Sequence, residues 1–433
     1  MQSTELVTLQ GDVPMTTSRT MNAPLLAVEL FAGAGGLSIG LEQAGFQIVL
    51  ANELEEDFAA TFAHNHPNTE VLCQDIQTID FVAELAALDS PVIALLSGGP
   101  PCQGFSTVGA KREDDPRNRL LYEYLRAVEE IRPLYLIFEN VAGFARMYEG
   151  QAYRALQQGL QDLGYDFVSG ILEASDYGLP QKRQRSITLG WQKGLPPVRL
   201  PVPTHGEAAD FFSHLQPRRS LQEAISDLPP LGANDAAYAY ASPAHNAYQK
   251  ALRGEREILT EHNSANYGEK MRQILALIPP GGTVDDLPIE LRPKAYFSNT
   301  YARLWADRPT PTITRNFGTP SSSRCVHPTQ NRALSTREGA RLQGFPDSYQ
   351  FMGSKISKNL QIGNAVPPIF GLVIAQEIVR ALGQIHPDTT PLEACARAMT
   401  YISDSVWESM ERDAKKSAKV LREIEDADAE YAA

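Results

Sequence analysis

The chain has 433 residues, 43% hydrophobic and 21% charged, with 39 Lys and Arg against 52 Asp and Glu and a formal charge of −13. That is length for two or three domains with real cores. The composition is that of an ordinary globular protein, and no apolar run approaches the roughly 20 residues that cross a bilayer.

Residues 1–23 lack periodicity and are expected to be a disordered lead, without a basic-then-apolar targeting pattern. Leu25–Leu30 reads as a strand, Phe31-Ala32-Gly33-Ala34-Gly35-Gly36 as a glycine-rich turn, and Leu37–Ala44 as a helix ended by Gly45. Strand, turn and helix make a nucleotide-type cradle of backbone N–H groups, although the spacing is not GxGxxG. A second strand, Gln47–Ala51, leads to Glu53, and a third, Glu70–Cys73, to Asp75 and Ile76. An acid at a strand end can accept from ribose hydroxyls or an adenine amino group; a solvated helix-capping role is the alternative for Glu53.

The apolar run Val92–Leu96 predicts a buried parallel strand, followed by Ser97-Gly98-Gly99-Pro100-Pro101-Cys102-Gln103-Gly104-Phe105-Ser106. Loops at the carboxyl ends of such strands are where open α/β sheets put their ligands. The glycines permit close approach and the prolines stiffen the turn, which leaves Cys102 either a presented thiol or a buried structural one. The four cysteines, Cys73, Cys102, Cys325 and Cys395, are scattered without metal-ligand spacing and suit a reducing cytoplasm.

Leu120–Ile131 has helical periodicity. Leu134–Phe138 is a strand ending at Glu139-Asn140-Val141, where a desolvated carboxylate would have a raised pKa and could share a proton; a helix-capping Glu is the alternative. Phe167–Leu172 and Ser186–Gly190 are further strands. Gln181-Lys182-Arg183-Gln184-Arg185 precedes the second, and its i, i+2 spacing can point Arg183 and Arg185 towards one anion or carbonyl. A solvated basic edge is the alternative. From 191 to 330 loops prevail, with hydroxyl- and Arg-rich stretches around Arg303, Arg315 and Arg324 that suit either phosphate contacts or plain solvation. Ser335–Gly344 reads as a capped helix, Gln361–Pro368 as a turn, Ile369–Leu382 as a helix, and residues 388–433 as one or two amphipathic helices.

The ordered set Phe31–Gly36, Glu53, Asp75, Gly99–Ser106, Glu139–Val141, Gln181–Arg185, Arg337–Asp347 and Gln361–Pro368 resembles the DNA (cytosine-5)-methyltransferase family over about residues 25–385. The resemblance implies an α/β fold: a Rossmann-like S-adenosylmethionine-dependent methyltransferase sheet flanked by helices, with a smaller, irregular target-recognition domain. It divides the chain into a lead (1–23), a catalytic and cofactor-binding domain (24–191), a target-recognition domain (192–330), a hinge and return (331–385) and a helical extension (386–433).

It further implies methyl transfer to carbon 5 of a flipped-out cytosine in duplex DNA. Cys102 would be the nucleophile, Glu139 the partner of ring N3 and the amino group, Arg185 the holder of the base carbonyl with Arg183 in support, and Gln103 the occupant of the vacated stack. S-adenosylmethionine, leaving as S-adenosylhomocysteine and with no metal, would lie against Phe31, Ala32, Gly33, Gly35, Gly36, Glu53, Asp75, Ile76, Pro100, Leu120, Asn364 and Ala365. A cytoplasmic monomer with no membrane partner, acting alone or beside a separate restriction endonuclease, is the expectation. Two alternatives stand beside it: an inactive DNA-binding regulator on the same fold, which the intact Cys102, Glu139 and Arg185 set disfavours, and an RNA methyltransferase, which Gly104-Phe105-Ser106 disfavours. The acidic total charge argues mildly against a polyanionic partner, but clusters at Lys111-Arg112, Lys182–Arg185 and Arg218-Arg219 allow a local basic cleft.

Overall fold

The structure is a computed structural model that describes residues 25–89, 91–101, 119–207, 215–322 and 324–383. Cys102, Gln103, the lead and the extension lie outside the described residues, as does the 102–118 stretch as a whole.

Strand side chains alternate between faces, and the central strands, covered on both faces, read as near-continuous hydrophobic runs, whereas the outer ones keep polar and exposed positions. The strands are β1 (Leu25–Leu30), β2 (Phe46–Glu53), β3 (Glu70–Cys73), β4 (Leu95–Gly98), β5 (Tyr135–Val141), β6 (Tyr165–Glu173) and β7 (Gln184–Gln192). Among the described residues they form one seven-stranded sheet in the order β3-β2-β1-β4-β5-β7-β6. The first five are parallel, and β7 runs antiparallel between β5 and β6. The amino end of β7 therefore comes to the same edge as the carboxyl ends of β1, β2, β4 and β5.

Leu25, Ala27, Leu95, Tyr135 and Ile137 pack on one face beneath α1 (Gly36–Gln43) and α11 (Pro368–Gly383). Val28, Leu30, Leu96, Leu136 and Phe138 pack on the other, beneath α3 (Phe81–Ala87), α4 (Arg119–Ile131) and α5 (Gln151–Asp162). In α4 the buried residues Leu121, Tyr124, Leu125, Val128 and Ile131 recur every three or four positions, which lays one stripe on the sheet. Two glycines let α1 and α11 touch backbone to backbone: a Cβ on Gly40 would lie 2.1 Å from the Pro368 carbonyl, and one on Gly371 would lie 2.3 Å from that of Leu37.

The capped helix appears as α9 (Thr336–Gln343), with the reciprocal Ser335–Glu338 capping box and Gly344 at φ 89° as its stop. The expected turn at Gln361–Pro368 is half helix. Ser354 caps α10 (Lys355–Asn364), and only Ala365–Pro367 form the link to α11. Gly363 and Asn364, read as turn residues, close that helix; a Cβ on Gly363 would strike Arg315 backbone at 2.4 Å. The run Lys355–Gly383 is long and apolar enough to cross a membrane by composition, but that link breaks it, and Phe370, Ile374 and Ile378 lie in the core.

Residues beyond β7 are mostly loops, with α6 (Leu221–Ile225), α7 (Ala247–Arg253) and α8 (Glu269–Leu277). A separate apolar cluster joins Leu221, Ile313, Phe317, Leu334, Leu342, Phe345 and Ile362 to Ala34 and Ile39 of the first βα unit. Arg303, read as a phosphate or solvent contact, is instead 4% exposed and donates to the Ile278, His327 and Gln330 carbonyls. An irregular segment cannot satisfy its own carbonyls, and this guanidinium does so from inside.

Candidate functional site

The turn after β1 is built from left-handed backbone. Phe31 has φ 54°, unusual for a residue with a side chain, and Gly33 and Gly35 have φ 58° and 80°. Ala32 N–H donates to Asn52 O at 2.9 Å, and Gly35 N–H closes the turn on Ala32 O at 3.0 Å. Gly33 N–H donates to Glu53 Oε2 at 2.7 Å, while Oε1 accepts from Leu54 and Glu55 N–H at 2.8 and 2.9 Å. Burial raises the Glu53 pKa despite these three donors. Oε2 keeps a lone pair for a further donor.

Asp75 Oδ1 caps the following 3-10 turn at Gln77 N–H, 3.1 Å away, and Ile76 is buried. Phe31, Ile76 and Leu120 all pack on the same core cluster, which gives the pocket an apolar floor. A Cβ on Gly33 would meet nothing within 4 Å, so the turn opens on free space there. On its other side Gly36 abuts the α10–α11 link: a Cβ would lie 2.4 Å from Val366 O and 3.2 Å from Ala365 Cβ. Ala365 is nearly buried and Asn364 exposed. The cofactor residues expected from sequence thus collect at one end of β1, β2 and β3. An open, glycine-lined cradle with an apolar floor, a carboxylate and an Asp beyond it fits an adenosyl group.

Next along the same edge, Gly99 and Pro100 follow β4. Asn140 Nδ2 donates to Pro100 O at 3.1 Å, which fixes the chain two residues before Cys102. A Cβ on Gly99 would lie 2.7 Å from Glu139 Oε2, so only glycine lets this carboxylate sit against the loop. Val141 pairs with Arg185 and Glu139 with Ile187, which makes Glu139 and Arg185 diagonal neighbours on one sheet face. Their side chains meet at 2.7 Å between Arg185 Nε and Glu139 Oε1, with 13% and 9% exposed. Burial raises the Glu139 pKa, with the Arg185 and Arg183 charges opposing it.

Arg183 does not share the pair's target, contrary to the i, i+2 expectation. It precedes β7, is 1% exposed, and donates to Ile313 O, Gly363 O and Ala365 O at 3.1, 3.0 and 2.8 Å. Burial lowers its pKa, and its Nε has no partner among the described residues. Gln181 and Gln343, which lie in the Gln181–Arg185 and Arg337–Asp347 blocks but carry no role in the sequence reading, complete this hub. Gln181 donates to Gln343 Oε1 at 2.6 Å and accepts from Ile313 N–H at 2.8 Å, and Gln343 donates to Ala365 O at 2.8 Å. Their signal in sequence was their place in those blocks, not their partners; the bonds from Gln181 and Arg183 to the later chain span 132, 162 and 180 positions.

Beyond Arg185, at the ends of β6 and β7, a cleft of about 990 Å³ is lined by Lys182, Gln184, Arg218, Trp305, Arg308 and Thr312, with Glu173 and Glu207 also on its wall. Two of the basic clusters seen in the sequence meet here.

A family model described as C-5 cytosine-specific DNA methylase matches residues 25–380. The chain is 32% identical over 359 residues to the type II methyltransferase M1.HphI of Haemophilus parahaemolyticus, covering 82% of this chain and 87% of that protein. It is 33% identical over 383 residues to M.XorII of Xanthomonas oryzae pv. oryzae, covering 82% and 85%. Among solved structures it is similar to a DNA modification methyltransferase encoded within an E. coli prophage, with TM-score 0.67 and 26% identity over 83% of this chain and 99% of that one. The Spodoptera frugiperda DNMT2 structure shares the fold, with TM-score 0.53 and 16% identity over 82% and 98%.

Proposed function

The chain belongs to the C-5 cytosine-specific DNA methylase family and is a DNA (cytosine-5) methyltransferase of the type II modification kind, and we propose that Cys102, Glu139 and Arg185 carry its chemistry on a flipped-out cytosine. Carbon 5 of cytosine is too weakly nucleophilic to take a methyl group directly. A Cys102 thiolate adding to carbon 6 breaks the 5,6 double bond and makes carbon 5 enamine-like. Glu139 hydrogen-bonds ring N3 and the amino group; its raised pKa lets it hold the proton that N3 draws as charge develops. Arg185 keeps that carboxyl in place and holds the ring carbonyl. Bound S-adenosylmethionine supplies the methyl group as a sulfonium electrophile and leaves as S-adenosylhomocysteine. Loss of the carbon 5 proton to a base then restores the double bond as the Cys102 thiolate departs.

The observation that carries this reading is the Glu139–Arg185 pair pressed on Gly99, three residues before Cys102. Phe31, Ala32, Gly33, Gly35, Gly36, Glu53, Asp75, Ile76, Pro100, Leu120, Asn364 and Ala365 form the cofactor pocket. Arg183 acts on the site by positioning the Gly363–Ala365 backbone. Gln103 fills the stack that the extruded base leaves. Residues 192–330 select the sequence, and the cleft beside Lys182, Arg218 and Arg308 takes the backbone of duplex DNA, which makes binding fall steeply with salt. The enzyme acts as a monomer in the cytoplasm, without a metal.

Radiolabelled methyl transfer to duplex DNA tests the assignment. Glu139→Gln lowers kcat by about 10²–10³ while S-adenosylhomocysteine binding stays unchanged. A wild-type rate in the Glu139→Gln variant would remove Glu139 from the mechanism.

A further inference from the structure

Three side chains that the chemistry above does not use meet beneath the glycine turn. Tyr349, after α9, is buried and donates its hydroxyl to the Ala34 carbonyl. His66 follows α2 (Glu56–Asn65) and is 4% exposed. Its Nε2 lies 3.1 Å from the Tyr349 hydroxyl and its Nδ1 2.8 Å from the Glu42 carboxylate of α1.

The Ala34 carbonyl and the Gly35 N–H belong to one peptide unit, and that N–H is already held by Ala32 O. The plane is therefore pinned at both edges. It needs pinning because Gly33 and Gly35, on either side of Ala34, carry no side chain to limit rotation. The seat is cut for these partners: a Cβ on Gly35 would lie 2.6 Å from both His66 Nε2 and the Tyr349 hydroxyl. With the one tyrosine proton committed to Ala34 O, the hydroxyl can only accept, as can the Glu42 carboxylate, so His66 donates from both ring nitrogens: Nε2–H to Tyr349 and Nδ1–H to Glu42, which orients the ring. Tyr349 is itself held to α2, since Asn65 bonds both the N–H and the carbonyl of Gln350, at 3.0 and 2.8 Å.

We propose that Tyr349, oriented by His66 and Glu42, is a positioning residue for S-adenosylmethionine: it locks the Ala34–Gly35 peptide so that the open side of the turn keeps the shape the cofactor requires. This rests on the reading of that turn as the cofactor cradle.

Calorimetric titration of the full-length chain with S-adenosylhomocysteine tests it. Tyr349→Phe removes one hydroxyl and weakens binding about tenfold. In turnover the KM for S-adenosylmethionine rises by a similar factor, with kcat at saturation within about twofold. His66→Gln weakens binding in the same direction, and the double variant is no weaker than Tyr349→Phe alone, because His66 acts through the tyrosine. A purely structural role would lower thermal stability and kcat together and leave the affinity of the folded fraction alone. Wild-type affinity in Tyr349→Phe, or losses that multiply in the double variant, would overturn the proposal. If Tyr349→Phe does not fold, His66→Gln decides by the same affinity comparison. A folded wild-type chain that binds no S-adenosylhomocysteine is a different result, and it overturns the cradle reading itself.

Discussion

Glu29 lies on β1 with 3% of its surface exposed, beneath the helix that the glycine turn opens. Its partner is the Ser38 hydroxyl on α1. Burial is the largest influence on it and raises its pKa from 4.5 to about 8, with the nearby Glu42 charge adding to the rise and Ser38 opposing it. Between those two values the unfolded chain has released the proton and the folded chain still holds it. Stability attributable to this group is therefore complete below pH 4.5, declines as pH rises through the window, and stops declining above about pH 8. At about 1.4 kcal/mol per unit, the full loss is at most about 5 kcal/mol. Glu29→Gln keeps the shape and a hydrogen-bonding group without the titration. Melting curves from pH 5 to pH 8 should show the wild type losing on the order of 5–10 °C more than the variant, which overtakes it at the alkaline end. Parallel curves for the two proteins would refute the argument.

Arg341→Met leaves Asp227 and Asp347, both buried, without the guanidinium that binds each of them, and destabilises the chain by about 3–5 kcal/mol in urea titrations. An unchanged urea midpoint would contradict that pairing. Gly40→Ala separates helix propensity from packing. Propensity alone stabilises by up to about 1 kcal/mol, whereas the 2.1 Å approach to Pro368 O makes the change destabilising by about 1–3 kcal/mol, so the sign of the urea shift decides.

The parts of the fold legible in the sequence are those set by local pattern. The strand from Leu25 to Leu30, the Gly35-Gly36 turn, the α4 stripe and the Ser335–Glu338 capping box each follow from residues within a few positions of one another. Glu139 was legible for the same reason, as an acid at the end of an apolar run. What was not legible depends on partners far along the chain. Arg183 shares strand spacing with Arg185, yet its guanidinium serves carbonyls 130 to 182 residues away. Arg303 looks like a loop arginine until the carbonyls around it are seen. Gly363-Asn364 has the composition of a turn, but the helix begins well before it at a serine cap, and the glycine is there to clear Arg315. His66 and Tyr349 carry no local signal at all, since their meeting spans 283 residues.

In the proposed mechanism Cys102 bonds to carbon 6 of the target base while Glu139 and Arg185 hold it. Duplex DNA carrying 5-fluorocytosine tests it most directly, because fluorine at carbon 5 cannot leave as a cation and the adduct cannot resolve. With S-adenosylmethionine present, the wild-type chain should form a denaturant-stable protein–DNA species whose cross-linked peptide contains Cys102, and Cys102→Ala should form none. An equal yield from Cys102→Ala, or a cross-link at any other residue, would contradict the account.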